Sequence, residues 1–322
     1  MAVTIKDVAK AANVGVGTVS RVLNGASVNE TTKSTVMQAI KELRFTPNST
    51  AHRLRKNRTG VIAVLVPIIY HPFFSEFVEE VEKEAEKFGW SVLIVSSQQK
   101  IEKEQSIINK IHRKEIDGAI FVTHYKHDTE ALQGCPFVSI DRPLSDDIPY
   151  VTSDNYEATA EAVEYLISRG CKKIGYIGSK PIVDSEVMQR EKAYLDTVKK
   201  HGMQARIVNE VIIHGDEDKA VNKFFDDFSD VDGIFAAGYT IAQATYSYAL
   251  SKGYSVPQNL QIVAYDGSFN KWGGTGSLTA VEQPIADMAK EVVNLLYNVI
   301  EGNEVQKRTV FKSKLVQGST TK

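Results

Sequence analysis

Thr4-Ile-Lys-Asp-Val-Ala-Lys-Ala-Ala-Asn-Val-Gly-Val-Gly-Thr-Val-Ser-Arg-Val-Leu-Asn-Gly25 opens the chain with two short amphipathic segments around a tight turn. Asp7, three residues after Thr4, has capping-box spacing, which predicts a helix through about Ala12 with Ile5, Val8, Ala9 and Ala12 on one face. Asn13, Val14 and Gly15 make the turn. A second helix over about 16–24 buries Val19, Val22 and Leu23, exposes Gly17, Ser20 and Arg21, and stops at Gly25. A third, over about 30–43, is capped by Asn29 and carries Val36, Ile40 and Leu43 at i, i+4 and i+7. Three helices sharing one small core, the second with a basic polar surface, predict a helix-turn-helix unit that reads DNA.

Charge agrees with this. Residues 1–58 hold ten Lys or Arg against three acids, a net of +7, whereas the rest of the 322-residue chain carries −9; the overall −2 hides the division. A basic arm on an acidic body points to a polyanion at one end only. Residues 48–60 are polar and basic with one large apolar side chain, Leu54, too little to fold alone. No charged segment followed by an apolar leader and no membrane-length apolar run occurs, so a cytoplasmic protein with no membrane partner is expected. Cys135 and Cys171 are isolated and lack zinc or redox spacing.

From Val61 onward short apolar runs alternate with amphipathic stretches. Strands are expected at 61–66, 92–95, 119–122 and 137–140, and again at 174–177, 207–213, 234–237 and 262–265. Helices fall near 73–88, 101–113, 156–169, 186–201, 217–228 and 240–252. The alternation implies parallel α/β sheets with right-handed crossovers, and roughly 260 residues of it implies two lobes around a ligand cleft. A late helix, 285–300, returns to the first lobe.

Ligands of open parallel sheets sit beyond the carboxyl ends of the strands. Two apolar runs end there in an acid, Asp141 and Asp266, and carboxylates at such ends can accept bidentate bonds from the vicinal hydroxyls of a polyol. Each acid read alone serves equally well as a turn cap; two at equivalent ends favour a site. Arg190, early in its helix, can offer a planar donor fork, although a solvated helix face is the ordinary role for such a residue. Phe73 and Phe74 can wall a ring, and by spacing alone read as core. His124 and His127 lack a third metal ligand nearby, and neither a nucleophile elbow nor a phosphate-binding loop is present; Gly273-Gly-Thr-Gly276 lacks the following Lys-Ser/Thr pair. No catalytic residue, metal or cofactor is expected.

Taken together, Thr4 to Lys10, Thr18 to Gly25, the linker with its lone leucine and the two-lobed body resemble the lactose-repressor (LacI/GalR) family of bacterial transcription regulators, over essentially the whole chain. Pro72-Phe-Phe74, Asp141-Arg-Pro143, Val151 to Asn155, Ala264-Tyr-Asp266 and Glu282-Gln-Pro284 carry the likeness into the body. The resemblance implies an all-α helix-turn-helix headpiece over 1–46, a hinge over 47–59, and a periplasmic-binding-protein-like body over 60–322. Its N-lobe would be about 60–154 with 285–311, and its C-lobe about 155–284 with 312–318. It implies DNA contacts by Thr4, Val16, Gly17, Thr18, Ser20, Arg21, Asn24, Asn48, Ala51 and Leu54. Arg21 would read a guanine and Leu54 would wedge into the minor groove. Effector contacts would come from Phe73, Phe74, Asp141, Arg190, Tyr239, Asp266 and Gln283. The chain departs from the family in having Gly15 where serine is usual, Gly17 for alanine, Ala193 for glycine, and Gly238-Tyr239 for Asn-Asp.

The expectation is therefore a homodimeric repressor of a carbohydrate-utilisation operon. It would bind double-stranded operator DNA under control of a sugar or sugar phosphate, with a protein corepressor as a further partner. Alternatives are a nucleobase- or nucleoside-responsive member, with the Phe73-Phe74 wall stacking on the base, and a member gated by a protein in carbon-catabolite control. A solute-binding protein of a transport system shares the two-lobed fold, but the +7 headpiece and missing leader count against it.

Overall fold

A computed structural model describes residues 3–23, 26–45, 58–98, 100–123, 125, 127–212, 215–267 and 277–322. Asn24, Gly25, Asn48, Ala51, Leu54, His124 and the 273–276 glycine stretch lie outside these residues. The chain divides after Thr59 into two compact units.

The first unit holds α1 (Ile5–Ala11), α2 (Val16–Leu23) and α3 (Glu30–Glu42). Their common core is Val8, Ala9, Ala12, Val19, Val22, Val36, Ala39 and Phe45, with Ile5, Leu23, Ile40 and Leu43 packed at its edge. Asn29 caps α3 by accepting from the Thr31 N–H at 2.9 Å. Asn13, at φ 49°, makes the left-handed turn between α1 and α2 that an asparagine tolerates.

The second unit contains two six-stranded sheets. The first has order β11-β5-β4-β3-β1-β2, from β1 (Val61–Val66), β2 (Ser91–Ser96), β3 (Gly118–Phe121), β4 (Phe137–Ile140), β5 (Tyr150–Ser153) and β11 (Arg308–Phe311). The second has order β12-β10-β9-β8-β6-β7, from β6 (Ile174–Ser179), β7 (Ile207–Glu210), β8 (Gly233–Ala236), β9 (Gln261–Tyr265), β10 (Thr279–Glu282) and β12 (Lys314–Val316). Every pairing is parallel except β10 with β12. Strands buried on both faces need no polar alternation; β1 and β3 accordingly read as unbroken apolar runs, and β4 as one broken only by the buried Ser139.

Alternate residues of each sheet feed separate cores. In the first lobe Ile62, Val64 and Val66 face α4 (Pro72–Lys87) and the apolar side of α11 (Ile285–Glu301). Ala63 and Leu65 face α5 (Ile101–His112), beyond which the short α6 (Thr129–Leu132) leads into β4. In the second lobe α7 (Asn155–Ser168) and α8 (Met188–Lys200) cover one face, and α9 (Glu217–Asp227) and α10 (Tyr239–Ser251) the other. A Cβ at Gly118 would lie 2.9 Å from both Leu296 Cδ1 and the Pro136 carbonyl, so α11 rests close on β3.

The chain passes between the sheets three times, after β5, after β10 and between β11 and β12. Strand β7 stops at Glu210, short of the 207–213 run read from its hydrophobicity.

Candidate functional site

In the helical unit the Thr4 N–H and hydroxyl both donate to the Asp7 carboxylate, at 2.8 and 2.7 Å. These bonds hold the Asp7 carboxyl below its ordinary value. The outer side of α2 presents Val16, Gly17 and Arg21 to solvent, while Thr18 and Ser20 are half-buried, so Ser20 is less open than its helical spacing predicts. Arg21 Nη2 reaches Thr18 Oγ1 at 3.4 Å, a weak contact that leaves the guanidinium on the surface. A Cβ at Gly15 or Gly17 would meet nothing within 4 Å, so packing demands neither glycine.

In the body a cavity of about 250 Å³ opens between the two sheets at the carboxyl ends of their strands. Six of the seven expected effector residues line it: Phe73, Phe74, Asp141, Arg190, Asp266 and Gln283. Tyr239 does not, although its neighbours Gly238 and Thr240 do. As the first residue of α10 it packs on the α9–α10 core and accepts a hydrogen bond from Gln243 Nε2, one turn on, at 2.8 Å.

Asp141 and Asp266 occupy equivalent places. Each follows the last residue of a central strand, at φ 61° and 72°, and each donates its backbone N–H at 2.9 Å to the next strand, to Val151 O and Val281 O respectively. Left-handed backbone is uncommon for residues other than glycine but enriched in aspartate and asparagine, so the acid suits the bend as well as a ligand. Asp141 Oδ1 accepts from Thr152 Oγ1 at 2.7 Å, and Asp266 Oδ1 from Gln283 Nε2 at 2.5 Å. Because its amide nitrogen is committed to Asp266, Gln283 turns its Oε1 inward, buried and without a partner among the described residues. Burial pushes the Asp141 carboxyl above the usual carboxylate range; Arg190 and the Thr152 bond pull it back, and Asp266 and Glu186 add to the rise.

Arg190 is 5% exposed. Its Nε donates to Asn155 Oδ1 at 2.7 Å and its Nη1 to Ala237 O at 2.9 Å, while its guanidinium carbon lies 3.5 Å above the Tyr265 ring. Nη2 has no hydrogen-bond partner among the described residues. A chain of bonds crosses the lobe boundary from here, from Arg190 to Asn155, from Asn155 Nδ2 to Thr152 Oγ1 at 3.1 Å, and from Thr152 to Asp141. Asn155 and Thr152 belong to the quoted Val151–Asn155 motif, yet their place in this network is visible only in three dimensions. Sequence reading also missed His71, Thr123 and Glu217 as cleft residues, because each lies on a loop or element end remote in sequence from the acids.

His127 is committed elsewhere: its Nε2 lies 2.5 Å from Glu104 Oε2 in a buried pair against Thr123. Among the described residues no group of three His, Cys, Asp or Glu side chains is placed to hold a metal, and no helix is long and apolar enough to cross a membrane.

A three-helix DNA-reading unit joined to a two-sheet body whose largely apolar cleft holds two strand-end acids and a buried arginine defines a ligand-responsive DNA-binding regulator. Residues 4–48 match the profile of "Bacterial regulatory proteins, lacI family", and residues 59–317 that of "Periplasmic binding proteins and sugar binding domain of LacI family". The chain belongs to the lacI family of bacterial regulatory proteins. It is 36% identical to the ribose operon repressor of Halalkalibacterium halodurans, over 99% of this chain and 97% of that protein. It is 25% identical, with a TM-score of 0.74, to a periplasmic binding protein/LacI transcriptional regulator from Alkaliphilus metalliredigens complexed with D-xylulofuranose, over 82% of this chain and 99% of the other. The lac repressor dimer bound to operator and an anti-inducer shares the fold at a TM-score of 0.83 and 22% identity, over 100% of this chain and 99% of the other.

Proposed function

We propose that this chain is a cytoplasmic, homodimeric repressor of a carbohydrate-utilisation operon whose effector is a neutral, unphosphorylated monosaccharide of pentose size. The observation that carries the effector is the small set of polar groups at the strand ends in an otherwise largely apolar cleft. Asp141, Asp266 and the buried Oε1 of Gln283 are acceptors, and Arg190, His71 and Lys180 line the same cleft as donors. A ring bearing several hydroxyl groups satisfies that set, since each hydroxyl both donates and accepts. A phosphate only accepts, and although Lys180 and Arg190 line the cleft, the two strand-end carboxylates oppose a second anion there, which favours the free sugar. Size agrees: a cavity of about 150 Å³ holds the six carbons of benzene, so by proportion 250 Å³ has room for roughly ten non-hydrogen atoms, a pentose. The ribose and xylulose in the names of the two relatives above are of this class.

On the DNA side, α2 of each protomer would lie in the major groove of a near-palindromic operator with half-sites about one helical turn apart. Arg21 would read a guanine, Val16 and Gly17 would face base edges, and Thr4, Thr18, Ser20, Asn24, Asn48 and Ala51 would support or extend the contact. Leu54 would wedge into the minor groove.

A thermal-shift series with D-ribose, D-xylulose, sucrose, ribose 5-phosphate and adenine tests the effector, and a band shift on the chain's own upstream DNA tests the repressor. The expected result is a raised melting temperature with a pentose and none with its phosphate ester. A response to adenine or to the phosphate alone would overturn the reading.

A further inference from the structure

The segment that leads into α8 is fastened to the opposite sheet. Ser185 Oγ and the Glu186 N–H both donate to the carbonyl of Asp141, at 3.1 and 2.8 Å. Glu186 Oε1 accepts from the Tyr150 hydroxyl and from Arg308 Nε, each at 2.8 Å. Tyr150 and Arg308 are register partners on β5 and β11, so one carboxylate oxygen gathers two donors from adjacent strands of the first sheet. The backbone of Glu186 continues directly into a helix of the second lobe, and Arg190 follows four residues later. The cleft lies on one side of this segment, lined by Ser185, Val187 and Arg190, and an outer groove lined by Glu186, Lys192 and Arg308 lies on the other.

The contact has features that an ordinary surface pair lacks. The Glu186 side chain is only 18% exposed, although that of Arg308 is 50% exposed. Its two donors hold the carboxyl below its usual value although burial opposes them. Charge-assisted bonds of this geometry are roughly twice as strong as neutral ones. The Asp141 whose carboxylate faces the cleft is the same residue whose carbonyl receives the segment.

We propose that Glu186 is a positioning residue that sets the angle between the lobes. Held by Tyr150 and Arg308, it keeps the helix that carries Arg190 beside the strand end that carries Asp141, so the ligand-free body already favours the arrangement in which both line one cleft. The inference rests on the cleft being the effector site, but the latch itself is measurable without any effector. Apparent affinity scales with the fraction of molecules in the competent arrangement, so a broken latch weakens effector binding even though Glu186 does not line the cleft.

The test uses the full-length protein spin-labelled at Glu82→Cys on α4 and Lys219→Cys on α9, both solvent-exposed. Dipolar distances are recorded without ligand for the otherwise wild-type chain, for Glu186→Gln, for Arg308→Met and for the double variant. Each single substitution is expected to lengthen or broaden the distance distribution, with no further change in the double variant. D-ribose affinity, read by calorimetry, is expected to fall at least about fivefold in each single variant, and no further in the double. Unchanged distances in both single variants, or effects that add in the double, would overturn the latch. If ribose fails to bind the wild-type chain while the distances shift, the pentose reading falls and the latch stands. Should ribose bind with equal affinity to all four proteins at unchanged distances, the latch falls and the pentose reading stands.

Discussion

Asp141 and Asp266 each combine a backbone task with a chemical one, and the two must be separated by experiment. Alanine at either place would lose the carboxylate and also sit badly in left-handed backbone, at about 1 kcal/mol. Asparagine keeps the conformation and removes the charge. Asp141→Asn and Asp266→Asn are therefore expected to melt near the wild-type temperature without ligand and to lose the pentose-induced rise; a full rise in either variant removes that acid from the site. The raised Asp141 carboxyl adds a pH signature. In the folded body its protonated form is favoured, so its contribution to stability is present below the unfolded-state value and lost as pH rises through the folded one. Effector binding runs the other way, because the carboxylate is the acceptor. Affinity should weaken on acidification sooner than for an ordinary aspartate, and Asp141→Asn should flatten the profile measured by calorimetry. On the DNA side, Arg21→Ala should relax discrimination at one guanine by about 1 to 3 kcal/mol in competition binding with operator variants. Equal weakening on every sequence would instead mark Arg21 as a phosphate contact.

Among the elements, α2 begins with little support from its own sequence. Glycine stands at the residue before its first turn and again at its second position, both with open space where a Cβ would go. Gly15→Ser supplies a capping oxygen, expected to stabilise the helical unit by a few tenths of a kcal/mol, and Gly17→Ala a better helix former, expected to add roughly 0.5 to 1 kcal/mol, both read in thermal unfolding. No gain in either would mean that the helix start is held by its turn alone. The same helices were legible in sequence because cap residues and 3.6-residue periodicity act locally, and β1 and β3 because a strand buried on both faces is simply an apolar run. Strands β5 and β10 escaped notice because Tyr150-Val-Thr-Ser153 and Thr279-Ala-Val-Glu282 are short and mixed, and each leads out of its sheet. Arg308-Thr-Val-Phe311 is an exposed edge, recognisable only from its partner β5. The 207–213 run misled for a related reason: Val211 and Ile212 leave the sheet to line the cleft, so their hydrophobicity belongs to the pocket. In the site, strand-end acids announce themselves by position, whereas Thr152 and Asn155 acquire meaning only through Asp141 and Arg190. Tyr239, implied as an effector contact because it stands where the family has aspartate, turns along its own helix instead.

For the whole molecule, the reading of effector and operator as two ligands of one switch makes a reciprocal demand. If a pentose changes operator affinity by a factor within about 5 to 150, then saturating operator must change pentose affinity by the same factor. Calorimetric titration of the sugar into protein alone and into the protein–operator complex checks this. Equal sugar affinities, with a sugar-dependent band shift, would mean that the DNA effect comes from a change in assembly state and not from coupling within one dimer. The charge division of +7 and −9 keeps the two tasks apart electrostatically, since the acidic body adds no attraction of its own for the duplex.

The threefold passage of the chain between sheets has a consequence for biogenesis. The edge of the first sheet waits for Arg308–Phe311, and the edge of the second for Lys314–Val316, so neither lobe is a continuous stretch of polypeptide that can finish ahead of the other. A nascent chain that has emerged only as far as α11 still shows β5 as an open edge, the kind of surface on which strands pair wrongly. Both sheets are completed by strands only two residues apart in sequence, β11 and β12, so the first lobe cannot close until the chain has been made past Phe311, nor the second until it is past Val316.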